Sequence, residues 1–204
     1  MVTTGHFLIF LSAAFLLAIS PGPGMLYVLA RSLKGGRKVG MASSIGTALG
    51  GMGHVIAAAF GLSVILAQSA HAFLFVKYLG AAYLVYLGIR TLLSRDVAMP
   101  DTDANTNEQN PFWQGVLTEA LNPKTALFFL AFIPQFVDHT GPLLPQFILL
   151  GTISVALNTS ADLVIVLAAA SLAKRFETSI LWRKRQRQAS GAALVGLGSY
   201  VAVS

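Results

Sequence analysis

The sequence predicts an all-α, polytopic membrane protein: six transmembrane helices arranged as two inverted three-helix repeats, with the first and fourth helices broken. Three observations carry this reading. The 204 residues are 55% hydrophobic and only 11% charged, with a mean hydropathy of +0.69, whereas soluble domains carry about a quarter charged residues. Six apolar stretches recur along the chain. The basic residues fall almost wholly in alternate connections between them.

A spanning helix needs roughly 20 mostly apolar residues. The expected spans are Phe7 to Ala30, interrupted by prolines, then Met41 to Ala67, Ala72 to Leu93, Phe112 to Phe136, Leu143 to Ala173, and a short sixth from Gln188 to Val203. The polar stretch DTDANTNEQNP has no apolar period and reads as a flexible loop. It divides the chain into a first half (1–93), a loop (94–111) and a second half (112–204). No basic segment precedes the first apolar stretch and no A-x-A site follows it, so that stretch is expected to remain as a span.

Of the fourteen lysines and arginines, twelve follow the first, third and fifth spans: Arg31, Lys34, Arg37 and Lys38; Arg90 and Arg95; Lys174, Arg175, Arg183, Lys184, Arg185 and Arg187. Lys77 alone marks the other side, and Lys124 lies within the fourth span. The positive-inside rule then places the basic loops in the cytoplasm, as in a bacterial inner membrane, and both termini outside. The net charge of +6 is therefore topological, and nucleic acid is not expected as a partner. Tyr78, Tyr83, Tyr86, Trp113 and Trp182 mostly fall near span ends, as an interfacial belt would.

The absence of cysteine excludes disulfides, thiolate metal sites and cysteine nucleophiles. The four histidines, His6, His54, His71 and His139, make no metal-ligand spacing, and no cofactor is expected.

Three spans per half force the halves into opposite orientations, the plan of many secondary transporters. One echo links them. AISPGPGMLYVLA places Pro21, Gly22, Pro23 and Gly24 inside the first span, and ALNPKT places Asn122, Pro123 and Lys124 inside the fourth. Proline removes an amide donor and glycine admits non-helical backbone. Freed backbone groups in lipid are costly unless they line a cavity or find protein partners. Breakers in corresponding spans point to a midplane binding site, where half-helix N-termini suit a carboxylate. A helix cap or a packing kink is the alternative for either break taken alone.

Asp162 lies midway along the fifth span, where a carboxylate costs at least ~2.5 kcal/mol and usually marks a pathway. It is a candidate for the ammonium group of a substrate or for an exchanged proton, with a structural pairing to Lys124 as the alternative. Asn158, four residues earlier, shares its face. Glu119 is nearer the expected interface, so a solvated or packing role competes with a functional one. In the second span Gly46, Gly50 and His54 share a face. The glycines read as packing positions, and His54 as an interhelical hydrogen bond or a proton relay.

Several stretches resemble the lysine-exporter superfamily, in particular its homoserine/threonine and leucine exporter branch. They are SPGPGMLYVLARSLKGGRKVGMASSIGTALG, KYLGAAYLVYLGIRTL, LTEALNPKTALFFLAFIPQFV and the Asp of ADLVIVLAAASLAKRF. The resemblance covers nearly the whole chain in order. It implies a six-helix inner-membrane exporter of amino acids or their derivatives, driven by proton exchange. Its proline-glycine break falls on Pro21, Gly22 and Pro23, its Asn-Pro-Lys motif on Asn122, Pro123 and Lys124, and its acidic residue on Asp162. Glu119 stands where members often carry a neutral residue, and the chain lacks their basic tail after VAVS.

The expectation is thus an amino-acid exporter in which the two breaks and Lys124 hold the substrate carboxylate and Asp162 couples a proton. The partners are the small substrate, protons and membrane lipid, with a second copy of the chain as a possible dimer mate. A channel or uptake facilitator fits the same halves. An intramembrane hydrolase using Ser20 and His54 lacks any G-x-S-x-G or H-E-x-x-H companion. A structural subunit has no need of an intramembrane Asp, Lys and paired breaks.

Overall fold

A computed structural model describes residues 4–62, 69–93, 110–138, 140–178 and 180–203, and these are helical apart from short connections. In chain order α1 is Thr4–Ile19 and α2 is Pro23–Ala57, prolonged by a π-helical turn, Ala58–Leu62. Then come α3 (Ala70–Leu93), α4 (Pro111–Ala120) and α5 (Pro123–Leu127). A π-helical Phe128–Phe132 and a 3-10 Ile133–Phe136 continue α5, and α6 (Leu143–Thr178) and α7 (Ile180–Val203) close the chain. The fold is all-α and polytopic, as expected. The greater part of the 94–111 loop lies outside the described residues, although Asn110 is seen capping α4 through the Phe112 amide.

Among the described residues, Pro23–Leu62, Leu74–Leu93 and Leu143–Ala169 are long and apolar enough to cross a membrane, and Pro111–Ala120 with Pro123–Phe136 makes a fourth span bent by 43°. The first of these is not one straight rod. Gly36, at φ 72° and ψ −172°, divides α2 into arms 23–35 and 37–57, a conformation that only glycine adopts without strain. The arms double back on one another: a Cβ on Gly40 would overlap the Ser32 hydroxyl, and Gly24 and Gly50 both abut Glu119. The basic stretch around Gly36 is therefore a one-residue turn between helical arms, and α1 and the 23–35 arm meet at the proline-glycine break.

The 37–57 arm is the centre of the bundle. One side packs on α4 so closely that a Cβ on Gly46 would strike the Phe112 carbonyl and one on Gly50 the Val116 carbonyl. The other side runs antiparallel to α6, with Gly40 against Val166, Gly51 against Val155 and Val55 against Gly151. Small residues permit this backbone approach, which replaces a hydrophobic drive that lipid cannot supply. The same core continues into an aromatic cluster that joins α1, the α5 extension and α7 through Phe10, Phe128, Phe132 and Phe136, with Tyr200 packed against it. Its rings meet at 4.8–6.2 Å in stacked, tilted and edge arrangements, distances at which aromatic pairs add to burial. Outside lie exposed apolar side chains such as Phe15, Ile45, Phe75, Leu149 and Val164, a perimeter suited to lipid.

Candidate functional site

Both breaks are built on one local rule. Each second half-helix begins with proline at its first position, preceded by an extended N-cap: Gly22 before Pro23 and Asn122 before Pro123. Proline is favoured there because its missing N–H has no intrahelical acceptor in any case. The Asn122 side chain accepts from the Lys124 amide at 3.1 Å and so caps α5 itself, whereas Gly22 offers no side chain to α2.

The second break supplies what the first one lacks. Lys124 reaches back to α1, where its Nζ donates to the Ser20 carbonyl at 2.8 Å and the Leu17 carbonyl at 3.2 Å. A helix C-terminus presents unpaired carbonyls and partial negative charge, so an ammonium is favoured there. The Glu119 carboxylate lies against Gly24 in the first turn of α2, where unpaired amides favour an anion. The break in the first span thus receives a cation at its carbonyl end and an anion at its amide end. Both come from the break in the fourth.

Glu119 is held firmly in this position. Its Oε2 accepts from Asn122 Nδ2 at 3.0 Å and its Oε1 from Thr125 Oγ1 at 2.6 Å. Its backbone carbonyl accepts from His54 Nε2 at 2.9 Å. Glu119 is 1% exposed, which excludes the solvated role that its sequence position allowed. His54 makes the interhelical hydrogen bond, with its ring 5.9 Å from that of Phe129.

Asp162, also 1% exposed, is paired with Thr47 rather than with Lys124. Thr47 Oγ1 stands 3.0 Å from Asp162 Oδ2 and 2.8 Å from the Ser44 carbonyl. Among the described residues Asp162 Oδ1 and the hydroxyls of Ser20, Ser43 and Ser44 have no hydrogen-bond partner. Between the two charged clusters is a cavity of about 20 Å³ whose walls include Leu17, Thr47, Glu119, Thr125 and Asn158. That is room for about one water and far too little for an amino acid.

The structure therefore brings Gly22, Gly24, Asn122, Lys124, Glu119 and His54 into one contact network. Asn158 lines the cavity, which reaches Asp162 through Thr47. Pro21 and Pro23 shape the first break and Pro123 the second, with Pro23 and Pro123 exposed. Thr47 and Thr125 escaped sequence reasoning. Each is a hydroxyl beside a motif dominated by other residues, and the signal for Thr47 is a threonine amid the glycines of SSIGTALGG.

The fold and site define a helical membrane protein built on paired broken helices. The chain belongs to the LysE type translocator family, whose model matches residues 15–204. It is 32% identical over 201 residues to the uncharacterized membrane protein YrhP of Bacillus subtilis, covering 94% of this chain and 95% of that one. It is 29% identical over 198 residues to an uncharacterized membrane protein of Vibrio cholerae, covering 97% and 96%. It is also 29% identical over 197 residues to the homoserine/homoserine lactone efflux protein of Salmonella typhimurium, covering 95% and 94%. No solved structure matches the chain. With its apolar helices and these relatives, the chain is an integral membrane protein.

Proposed function

We propose that the chain exports an amino acid or amino-acid derivative from the cytoplasm by secondary transport, exchanging a proton for the substrate. The observation that carries this reading is the meeting of the two helix breaks through the buried Lys124 and Glu119, beside a small cavity that Glu119 lines and whose Thr47 wall bonds the buried Asp162. Buried ionisable groups in a membrane protein are costly and mark substrate or proton pathways. Broken helices supply the polar backbone that such a pathway needs. Translocator-family membership and the efflux relatives support export of a small amino-acid-like solute.

In this reading the two breaks form the substrate site and Asp162 carries the proton. Its geometry suits that role. Thr47 has one hydroxyl proton for two oxygen neighbours, Ser44 O and Asp162 Oδ2. Both contacts become hydrogen bonds only when Asp162 contributes a proton of its own. Loss of that proton leaves a carboxylate that draws the Thr47 proton away from the Ser44 carbonyl, which links protonation to the packing of α2 on α6. The basic connections face the cytoplasm of an inner membrane and the termini face outward, following the distribution of lysine and arginine.

The test is efflux of radiolabelled amino acids, with homoserine, threonine, leucine and lysine in the panel, from cells overexpressing the chain. It is followed by counterflow in proteoliposomes. Saturable, gradient-driven efflux with counterflow is expected. Non-saturable flux without counterflow identifies a channel instead.

A further inference from the structure

The carbonyl end of α1 already holds a primary ammonium group, that of Lys124. Its acceptors are Leu17 O and Ser20 O, at a helix terminus whose partial negative charge favours a cation. An ammonium has three donors, and two of those on Lys124 lie on these carbonyls. The Ser20 hydroxyl, on a residue 3% exposed, has no partner among the described residues and is a further acceptor at the same turn. Gly22 completes the pocket: a Cβ there would stand 2.9 Å from both Lys124 Nζ and Cε. The cavity opens directly alongside, with Leu17 and Ala18 in its wall.

We infer that this end of α1 is a subsite for the α-ammonium of the substrate, and that Lys124 occupies it as an internal stand-in while no substrate is loaded. The inference rests on the exporter reading above and deepens it. An incoming ammonium meets the same carbonyls and the same dipole, so it replaces Lys124 with little change in local charge. The displaced Lys124, two residues after the Asn122 N-cap of α5, is then free to meet a substrate carboxylate. Loading thereby releases the strap that ties the fourth span to the first. The ligand class is a primary amine on a small carbon skeleton, and the carboxylate is secondary at this subsite.

The experiment uses the purified full chain in detergent and reads thermal stabilisation by methylammonium, homoserine and N-acetylhomoserine, since a ligand that binds only the folded state stabilises it by mass action. Lys124→Met removes the stand-in. Methylammonium and homoserine are expected to stabilise this variant at about tenfold lower concentration than wild type, the worth of one or two hydrogen bonds, and N-acetylhomoserine is expected to stabilise neither. Equal midpoints for the two proteins, or N-acetylhomoserine acting as well as homoserine, overturn the subsite. Ser20→Ala, which keeps Lys124 in place, decides the matter if Lys124→Met does not fold. Its KM for homoserine efflux is expected to rise about tenfold with kcat within about twofold, and an unchanged KM counts against the proposal. Methylammonium binding needs no transport, so it tests the subsite apart from the exporter reading, which fails separately if wild type moves no amino acid.

Discussion

The Glu119 carboxylate rests on the Cα of Gly24, with Oε2 where a Cβ at residue 24 would stand. This contact joins the two broken spans at the point where α2 begins. It also explains why the break in the first span carries a second glycine after its second proline. Gly22 and Gly24 are the surfaces against which Lys124 and Glu119 lie.

Gly24→Ala forces that carboxylate to move and disturbs its bonds to Asn122 and Thr125. Overpacking of this kind costs about 1–3 kcal/mol. The melting temperature in detergent is expected to fall clearly for Gly24→Ala and less for Gly22→Ala, where the flexible end of Lys124 can give way. Equal melting of Gly24→Ala and wild type argues against the contact.

Glu119→Gln and Lys124→Met each remove one of two opposite charges buried around the same helix break, Lys124 on the Leu17 and Ser20 carbonyls and Glu119 on Asn122 and Thr125. Each loss leaves buried polar partners unsatisfied, which costs about 1–3 kcal/mol. The double variant is therefore expected to lose less stability than the two single losses combined, with a coupling of about 0.5–3 kcal/mol. Additive losses in a thermal double-mutant cycle contradict a shared network.

Asp162→Asn keeps a side chain that can still meet Thr47 but cannot exchange a proton at neutral pH. The variant is expected to fold, to retain substrate counterflow and to lose efflux driven by an imposed proton gradient. Undiminished gradient-driven efflux would sink the coupling role.

Thr47→Val deletes the hydroxyl beside Asp162 at nearly constant volume, whereas Thr47→Ser keeps it. One hydrogen bond is worth about 1 kcal/mol, or about 0.7 of a pH unit in a titration midpoint. The pH midpoint of efflux is expected to move by about that much in the valine variant and to stay in place in the serine variant. A common midpoint for both removes Thr47 from the proton site.

The membrane character, the all-helical class and both breaks were legible because composition and breaker residues act locally. SPGPG stops a helix wherever it is placed, and proline at the first position restarts one. Gly36 was harder to read. KGGRK looks like an ordinary basic loop, and only the packing of Ser32 on Gly40 shows a one-residue turn between helices. The partners of the charges were illegible for a related reason. Lys124 bonds carbonyls more than a hundred residues away, and backbone carbonyls leave no trace in residue identity. Glu119 reads from its place in the expected span as nearer the interface, with solvated, packing and functional roles open, and its burial removes only the solvated one.

The reach of Lys124 also has a temporal side. Ser20 and Lys124 are separated by 104 positions, and at ordinary rates of synthesis the ribosome needs about 5–20 s to travel between them. Throughout that interval the Leu17 and Ser20 carbonyls are without the ammonium that Lys124 brings to them, so this end of the first break is completed only once the fourth span has been made.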